Sequence, residues 1–232
     1  MCAESQILIH DPYGPPKDCA MEFRLTYEGL LPSSGNNPHA NEKHDIRKKF
    51  HLQLKKLWSE HAGLQSLKHP PEFPVISPQS GMGVRFFSGL STSRIDYLAK
   101  QFGRANHHWV PLVTKDLSLW CGLDILYLRP GIPGQVLRAG DIDGRMKTLF
   151  DALKMPWQLQ DLGDYQNRPV PPDENPFFCL LEDDSLVSQA SIETDRLLEF
   201  VGGDIPHQDD ARIVITVRLH PLIFKWENMG FV

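Results

Sequence analysis

The sequence predicts an α+β domain, a mixed or mostly antiparallel sheet with helices packed on it. Three observations carry this. Apolar and polar residues alternate over residues 21–27 and again at Ile213, Ile215, Val217 and Leu219, the period-two mark of half-buried strands. Ile46, Phe50, Leu54 and Leu57 recur at helical spacing, as do Met146, Leu149, Phe150 and Leu153. The elements run strand, helix, loop with short helix, strand, strand, helix, strand, strand, which is the intermixed α+β order.

Residues 1–20 are irregular, with Pro12, Gly14, Pro15 and Pro16, and read as an N-terminal arm before a domain spanning 21–232. Residues 31–42 are a polar loop. Residues 43–61 read as a helix whose apolar side is set off by Lys43, Arg47, Lys48, Lys49, Lys55 and Lys56. Those cations are either a solvated face or a phosphate-contacting one. Six prolines and glycines between Pro70 and Gly83 make 69–84 a loop. Residues 91–104 suit a short helix and 109–113 an extended segment. His107 and His108 precede that segment, and adjacent strand residues face opposite sides, which makes them a poor metal pair. Residues 117–129 form the best strand. Leu117, Leu119, Cys121, Leu123, Ile125 and Tyr127 share one face, and Trp120, Leu126 and Leu128 make the other largely apolar, so a central place in the sheet is expected. Residues 143–154 are helical up to Pro156. Residues 157–180 are loop-like and Pro-rich. Leu186 to Ile192 alternates, and with the strand at 213–219 it is expected to form an antiparallel pair or neighbours.

The 232 residues suit one domain. No apolar run approaches the roughly 18 residues a membrane helix needs, and the N-terminus lacks the basic and apolar regions of a secretory signal. Cys2, Cys19, Cys121 and Cys179 form no C-x-x-C pair, which disfavours a zinc finger or a dense disulfide framework. Lone thiols and no signal imply a cytoplasmic protein. The net charge of −5 is uneven: residues 1–150 hold 18 basic and 14 acidic residues, residues 151–232 hold 6 and 15. A strongly basic total, the usual footprint of a nucleic-acid binder, is missing, so such a role needs a local basic face.

The chemistry-bearing stretch is Asp141-Ile142-Asp143-Gly144-Arg145-Met146-Lys147, where a loop enters a helix. Lys147 stands one turn after Asp143 on the same side. A second acidic group, Glu182-Asp183-Asp184, stands just before a strand. Two readings are open. Asp residues at a helix start serve as caps and favour the macrodipole. Alternatively, Asp141, Asp143 and Asp184 converge as oxygen ligands for Mg2+, with Lys147 stabilising charge on a phosphate.

The run DIDGRMKTLFDAL followed by EDDSLV resembles the RusA family of Holliday-junction resolvases, which carries Asp-x-Asp-Asn-x-x-Lys at a helix start and Asp-Asp-x-x-Val leading into a strand. The order of the early strand, helix and central strand is similar too, so the resemblance spans roughly residues 21–219 and is specific over about 141–154 and 182–187. It implies a RusA-like fold and a Mg2+-dependent endonuclease, with Mn2+ as a substitute, acting as a homodimer on branched DNA. It also implies catalytic roles for Asp141, Asp143, Lys147 and Asp184, and metal ligation by Asp141, Asp143, Asp183 and Asp184. Lys48, Lys49, Lys55 and Lys56 become the candidate backbone contacts. Departures are Gly144 in place of the family Asn, the arm 1–20 and a Pro-rich insertion at about 155–181. These keep two alternatives open: a catalytically inactive nucleic-acid-binding or scaffold protein on the same fold, and a nuclease for another branched or single-stranded nucleic acid, RNA included. Trp157, Tyr165, Phe177 and Phe178 are either base-stacking residues of the insertion or aromatics that pack it down.

Overall fold

The computed structural model describes residues 21–34, 39–61, 64, 74–76, 84–86, 94–104, 106–130, 142–199, 207–223 and 228. The arm 1–20 lies outside them. The fold is α+β with a mixed sheet. Strands β1 (Met21–Leu30), β6 (Leu119–Arg129), β8 (Val187–Arg196) and β9 (Asp210–Pro221) form a four-stranded sheet in the order β1-β9-β6-β8. The strand β6 is central, antiparallel to β9 and parallel to β8. A second sheet orders β4 (Gly103–Arg104), β5 (His107–Val113) and β7 (Phe177–Leu181), with β5 and β7 parallel.

The alternation read from sequence becomes rows of side chains across the sheet. Phe23, Val217 and Leu123 stand in register, as do Leu25, Ile215 and Ile125, and Tyr27, Ile213 and Tyr127. All but Phe23 are buried, so one face of the sheet is core. The opposite face is charged along β1 and β9, with Arg218 Nε donating to Glu22 at 2.9 Å and Arg212 Nε to Glu28 at 2.9 Å.

Helix α1 (Ala40–Glu60) packs on β1 and β7 and lies against helix α3 (Ile142–Leu153); helix α2 (Arg94–Gln101) packs on β5. Ile46, Phe50 and Leu54 of α1 are buried as expected, together with Trp58. Arg47 is a correction: read as part of the solvated face, it is buried, and its guanidinium donates to the Asp151 carbonyl at 2.8 Å and the Lys154 carbonyl at 3.2 Å. The first belongs to the last turn of α3 and the second lies just beyond it, where the chain offers no further helical N–H, so the cation satisfies them.

Four further expectations change. Residues 69–84 are not all loop, because β2 (Pro74–Ile76) pairs antiparallel with β3 (Val84–Phe86). The Pro-rich insertion is not loop over its whole length. Residues Leu159–Asn167 and Pro172–Glu174 are 3-10 turns, and the stretch then enters β7, whose five residues are all buried. Phe177 and Phe178 are thus core strand residues, not loop aromatics. The strands near 186–192 and 213–219 are not neighbours, since β6 lies between them. Finally, the alternation in β8 does not produce one buried face: it is an edge strand, exposed along most of its length on both sides.

Candidate functional site

The first turns of α3 are held by its buried side. Arg145 is buried and donates to the Leu31 and Gln208 carbonyls, with an ion pair to Asp209 at 2.7 Å. Ser34 N–H donates to the Gly144 carbonyl at 3.0 Å, so the loop after β1 lies directly on this turn. A Cβ at residue 144 would run into Ser33 Oγ. Glycine, where the resemblance has asparagine, is therefore what lets loop and helix approach.

With that side anchored, α3 turns its other side outward. Asp143, Met146, Lys147, Phe150, Asp151 and Lys154 line a surface cavity of about 760 Å3, which Asp184, Val187 and Ile192 complete from the far wall. Of the four residues expected to be catalytic, Asp143, Lys147 and Asp184 therefore share one cavity; Asp141 lies outside the described residues. Asp143 and Lys147 are exposed.

The acidic triplet divides its work. Glu182 accepts from Lys115 N–H at 2.9 Å. Asp183 caps the 3-10 turn Asp184–Leu186, accepting from Ser185 N–H at 3.0 Å and from its hydroxyl, and these bonds hold the Asp183 carboxyl below its ordinary range. Asp184 alone faces the cavity. Of the alternatives Asp183 and Asp184, the former has the local structural role.

Two more cations belong here: Lys154, not singled out in the sequence, and Lys43, read there only as part of the basic face of α1. Lys154 Nζ lies 2.7 Å from Asp184 and 3.1 Å from Asp151, and Lys43 Nζ lies 2.8 Å from Asp151. Burial opposes the Lys154 ammonium, but its hydrogen bonds to Asp184 and Asp151 outweigh that and hold it above the usual lysine range. Burial likewise opposes the Asp151 charge, and the bonds from Lys43 and Lys154 reverse the balance and hold its carboxyl low. Lys154 stands just past the end of α3, eleven residues after Asp143, a spacing that continues the side of the helix on which Asp143 and Lys147 lie.

The basic residues of α1 are put to a different use. Asn41, Asp45, Lys48, His51 and Lys55 form one stripe of the helix, and the stripe grips the Pro-rich segment. Asn41 exchanges hydrogen bonds with Asp164 at 2.9 and 2.7 Å, Tyr165 Oη donates to Asp45 at 2.5 Å, and Lys55 donates to the Asp173 carbonyl at 2.8 Å. Lys48 pairs with Glu174 at 3.0 Å and sits over the Tyr165 ring. Lys49 and Lys56 are exposed, the latter 4.0 Å from Glu60. Of the four lysines expected to contact a nucleic-acid backbone, Lys48 and Lys55 thus clasp the chain's own segment, and Tyr165 is packed within the clasp. Trp157 is exposed, under Arg104 at 4.4 Å.

Beneath this clasp lies a group absent from the sequence reading. Single ligand atoms of His44, His107 and Glu174 all fall within 4.8 Å of one another, and all three residues are buried. This is the one such His, Cys, Asp or Glu group among the described residues; Asp143, Asp183 and Asp184 do not form another. His107 is buried while His108 is exposed, so the two do point apart, and the partners of His107 come from α1 and the Pro-rich segment instead. Burial first, then Arg47, His107 and Lys48, push His44 down to about 2, so its ring is neutral. Nothing local marks these residues, which stand far apart in sequence.

Cys121 and Cys179 are buried free thiols, and no helix of the described residues is long and apolar enough to cross a membrane. No family model, curated protein or solved structure matches this chain.

Proposed function

We propose that the cavity along α3 is the active site of a Mg2+-dependent endonuclease that hydrolyses phosphodiesters of DNA, with branched DNA as its substrate and a homodimer as its working form. One observation carries the reading. Asp143, Lys147 and Asp184, which come from two distant stretches resembling the resolvase pattern, line the same surface cavity. The donors fit the metal, since Mg2+ takes hard carboxylate oxygens and is satisfied by one or two of them plus waters and phosphate. Asp143 and Asp184 would hold it, with Asp141 as the expected third. A bound Mg2+ there would polarise the phosphodiester and lower the pKa of a coordinated water. Lys147, on the same cavity wall as Asp143, supplies a cation toward the phosphate oxygens, where negative charge builds during attack. The cytoplasm remains the expected compartment.

The ion pair between Lys154 and Asp184, at 2.7 Å, favours a second reading, a nucleic-acid-binding or scaffold protein without turnover, because the ammonium already neutralises one expected ligand. One assay separates the two. Labelled four-way junction, duplex and single-stranded DNA are incubated with Mg2+, Mn2+ or EDTA, using wild type and Asp143→Asn. The nuclease reading expects metal-dependent nicking, fastest on the junction and lowered at least about 100-fold by Asp143→Asn, the scale of a lost charge-stabilising group. Binding that weakens with salt, without nicking under any condition, would instead establish the second reading.

A further inference from the structure

We infer that His44, His107 and Glu174 form a second divalent-metal site, of the imidazole-binding class that Zn2+ typifies, and that its metal fastens the Pro-rich segment to α1 and β5. The donor set is two imidazoles and a carboxylate, a recurring Zn2+ triad and a poor match for Mg2+. The three ligand atoms lie within 4.8 Å of one another, a spacing that a cation with bonds of about 2.0–2.2 Å closes by small side-chain turns.

A second observation points to a ligand. His44 Nε2 is fully buried and has no hydrogen-bond partner, whereas buried polar atoms are nearly always satisfied. Its other nitrogen is engaged: Arg47 Nη1 lies 3.2 Å from Nδ1. A guanidinium only donates, so Nδ1 accepts and the ring proton sits on Nε2 in the metal-free chain. Metal capture at Nε2 moves that proton to Nδ1, which gives up the Arg47 contact, while Arg47 keeps its bonds to the carbonyls of Asp151 and Lys154.

The surroundings suit a closed structural site. The Tyr165 and Phe177 rings stand 4.6 and 5.7 Å from that of His44, and Trp109 stands 5.1 Å from His107, so aromatic walls keep water away. Lys48, 3.0 Å from Glu174, steadies the carboxylate from outside, and a carboxylate has oxygens enough for both cations. The three ligands come from α1, β5 and the last turn before β7, so the metal would join what the polar stripe of α1 already clasps.

The test uses the tag-free full chain, stripped with chelator, reloaded with Zn2+ and passed through gel filtration. One Zn2+ per chain is expected to remain, in wild type and in Asp143→Asn alike, so the result does not depend on the acidic cavity. Glu174→Gln and His107→Gln should each weaken retention at least about tenfold. X-ray absorption on wild type is expected to show two imidazoles and oxygen around the zinc, and decides the matter even if a variant fails to fold. No retained zinc, an oxygen-only shell, or loss of zinc in Asp143→Asn but not in Glu174→Gln would overturn the inference.

Discussion

Along α3, Asp143, Lys147 and Asp184 stand at the surface, and each carboxylate there meets water or a lysine. Beneath the Pro-rich segment, His44, His107 and Glu174 stand among aromatic rings, buried from water. The ionisable groups of the cavity are free to meet a large charged ligand, and their ion pairs are cheap to exchange. Those of the buried group must find partners inside the protein, because leaving a polar atom unpaired there is expensive. The contrast teaches that the Pro-rich segment is built in: its end is a core strand, its middle is gripped by α1, and its one buried carboxylate completes an internal constellation.

The largest effect tests that integration directly. Phe177 is fully buried in β7 and packs on Trp109 at 4.7 Å and on His51 at 4.4 Å, so Phe177→Ala is expected to lower stability by about 3–5 kcal/mol in urea unfolding. Trp157→Ala, at a side chain 69% exposed in the same segment, should change it by no more than about 0.5 kcal/mol. Equal small effects would mean the segment is an appendage and the comparison fails.

A second experiment uses pH. The two nitrogens of His51 have assigned roles: Nδ1 accepts from Phe178 N–H at 2.9 Å, and Nε2 donates to the Asp173 carbonyl at 3.1 Å. A proton added at Nδ1 would face an N–H, and burial, as the leading cause, holds the ring below its usual pKa. Below pH about 6.5 the unfolded chain takes up this proton and the folded chain resists it, so stability falls with falling pH at up to about 1.4 kcal/mol per pH unit from this residue. His51→Gln should flatten the slope between pH 7 and 5. An unchanged slope would place the acid sensitivity elsewhere.

How much of this was legible follows from distance along the chain. The strands β1, β6 and β9 and the helices α1 and α3 announce themselves because periodicity is local, and the run from Asp141 to Lys147 is a local pattern as well. That Asp184 joins Asp143 was one of two open readings of the residues, and the family resemblance favoured it, since nothing in either stretch specifies their approach. β7 was hidden because a fully buried strand of five apolar residues has no alternation, and the prolines before it signal loop. Arg47 was misplaced because a cation beside lysines reads as solvated, while its role is to satisfy carbonyls at and just past the end of α3, which follow only after some hundred residues of chain. His44 and Glu174 carried no signal for the same reason: each has an ordinary local reading, and only the tertiary fold makes them neighbours.

The smallest effect concerns the lysine between the two acids of the cavity. Lys154→Met removes the pairs to Asp151 and Asp184, but Asp184 is 49% exposed and Asp151 keeps Lys43, so the loss should be about 0.5–1 kcal/mol at neutral pH. The sign with pH is set by Asp151, whose carboxyl is held low in the folded chain. Its stabilisation is present above the ordinary Asp pKa of about 3.9 and is lost as pH falls through the lower folded value, so wild type and variant should converge in acid. The same substitution sharpens the contrast between surface and interior. In the cavity, removing a lysine releases Asp184, and under the nuclease reading Mg2+ binding, followed by calorimetry, should tighten. Unchanged Mg2+ affinity in Lys154→Met would count against Asp184 as a ligand, whereas tighter binding without any nicking would mean that the cavity collects cations but does not cut.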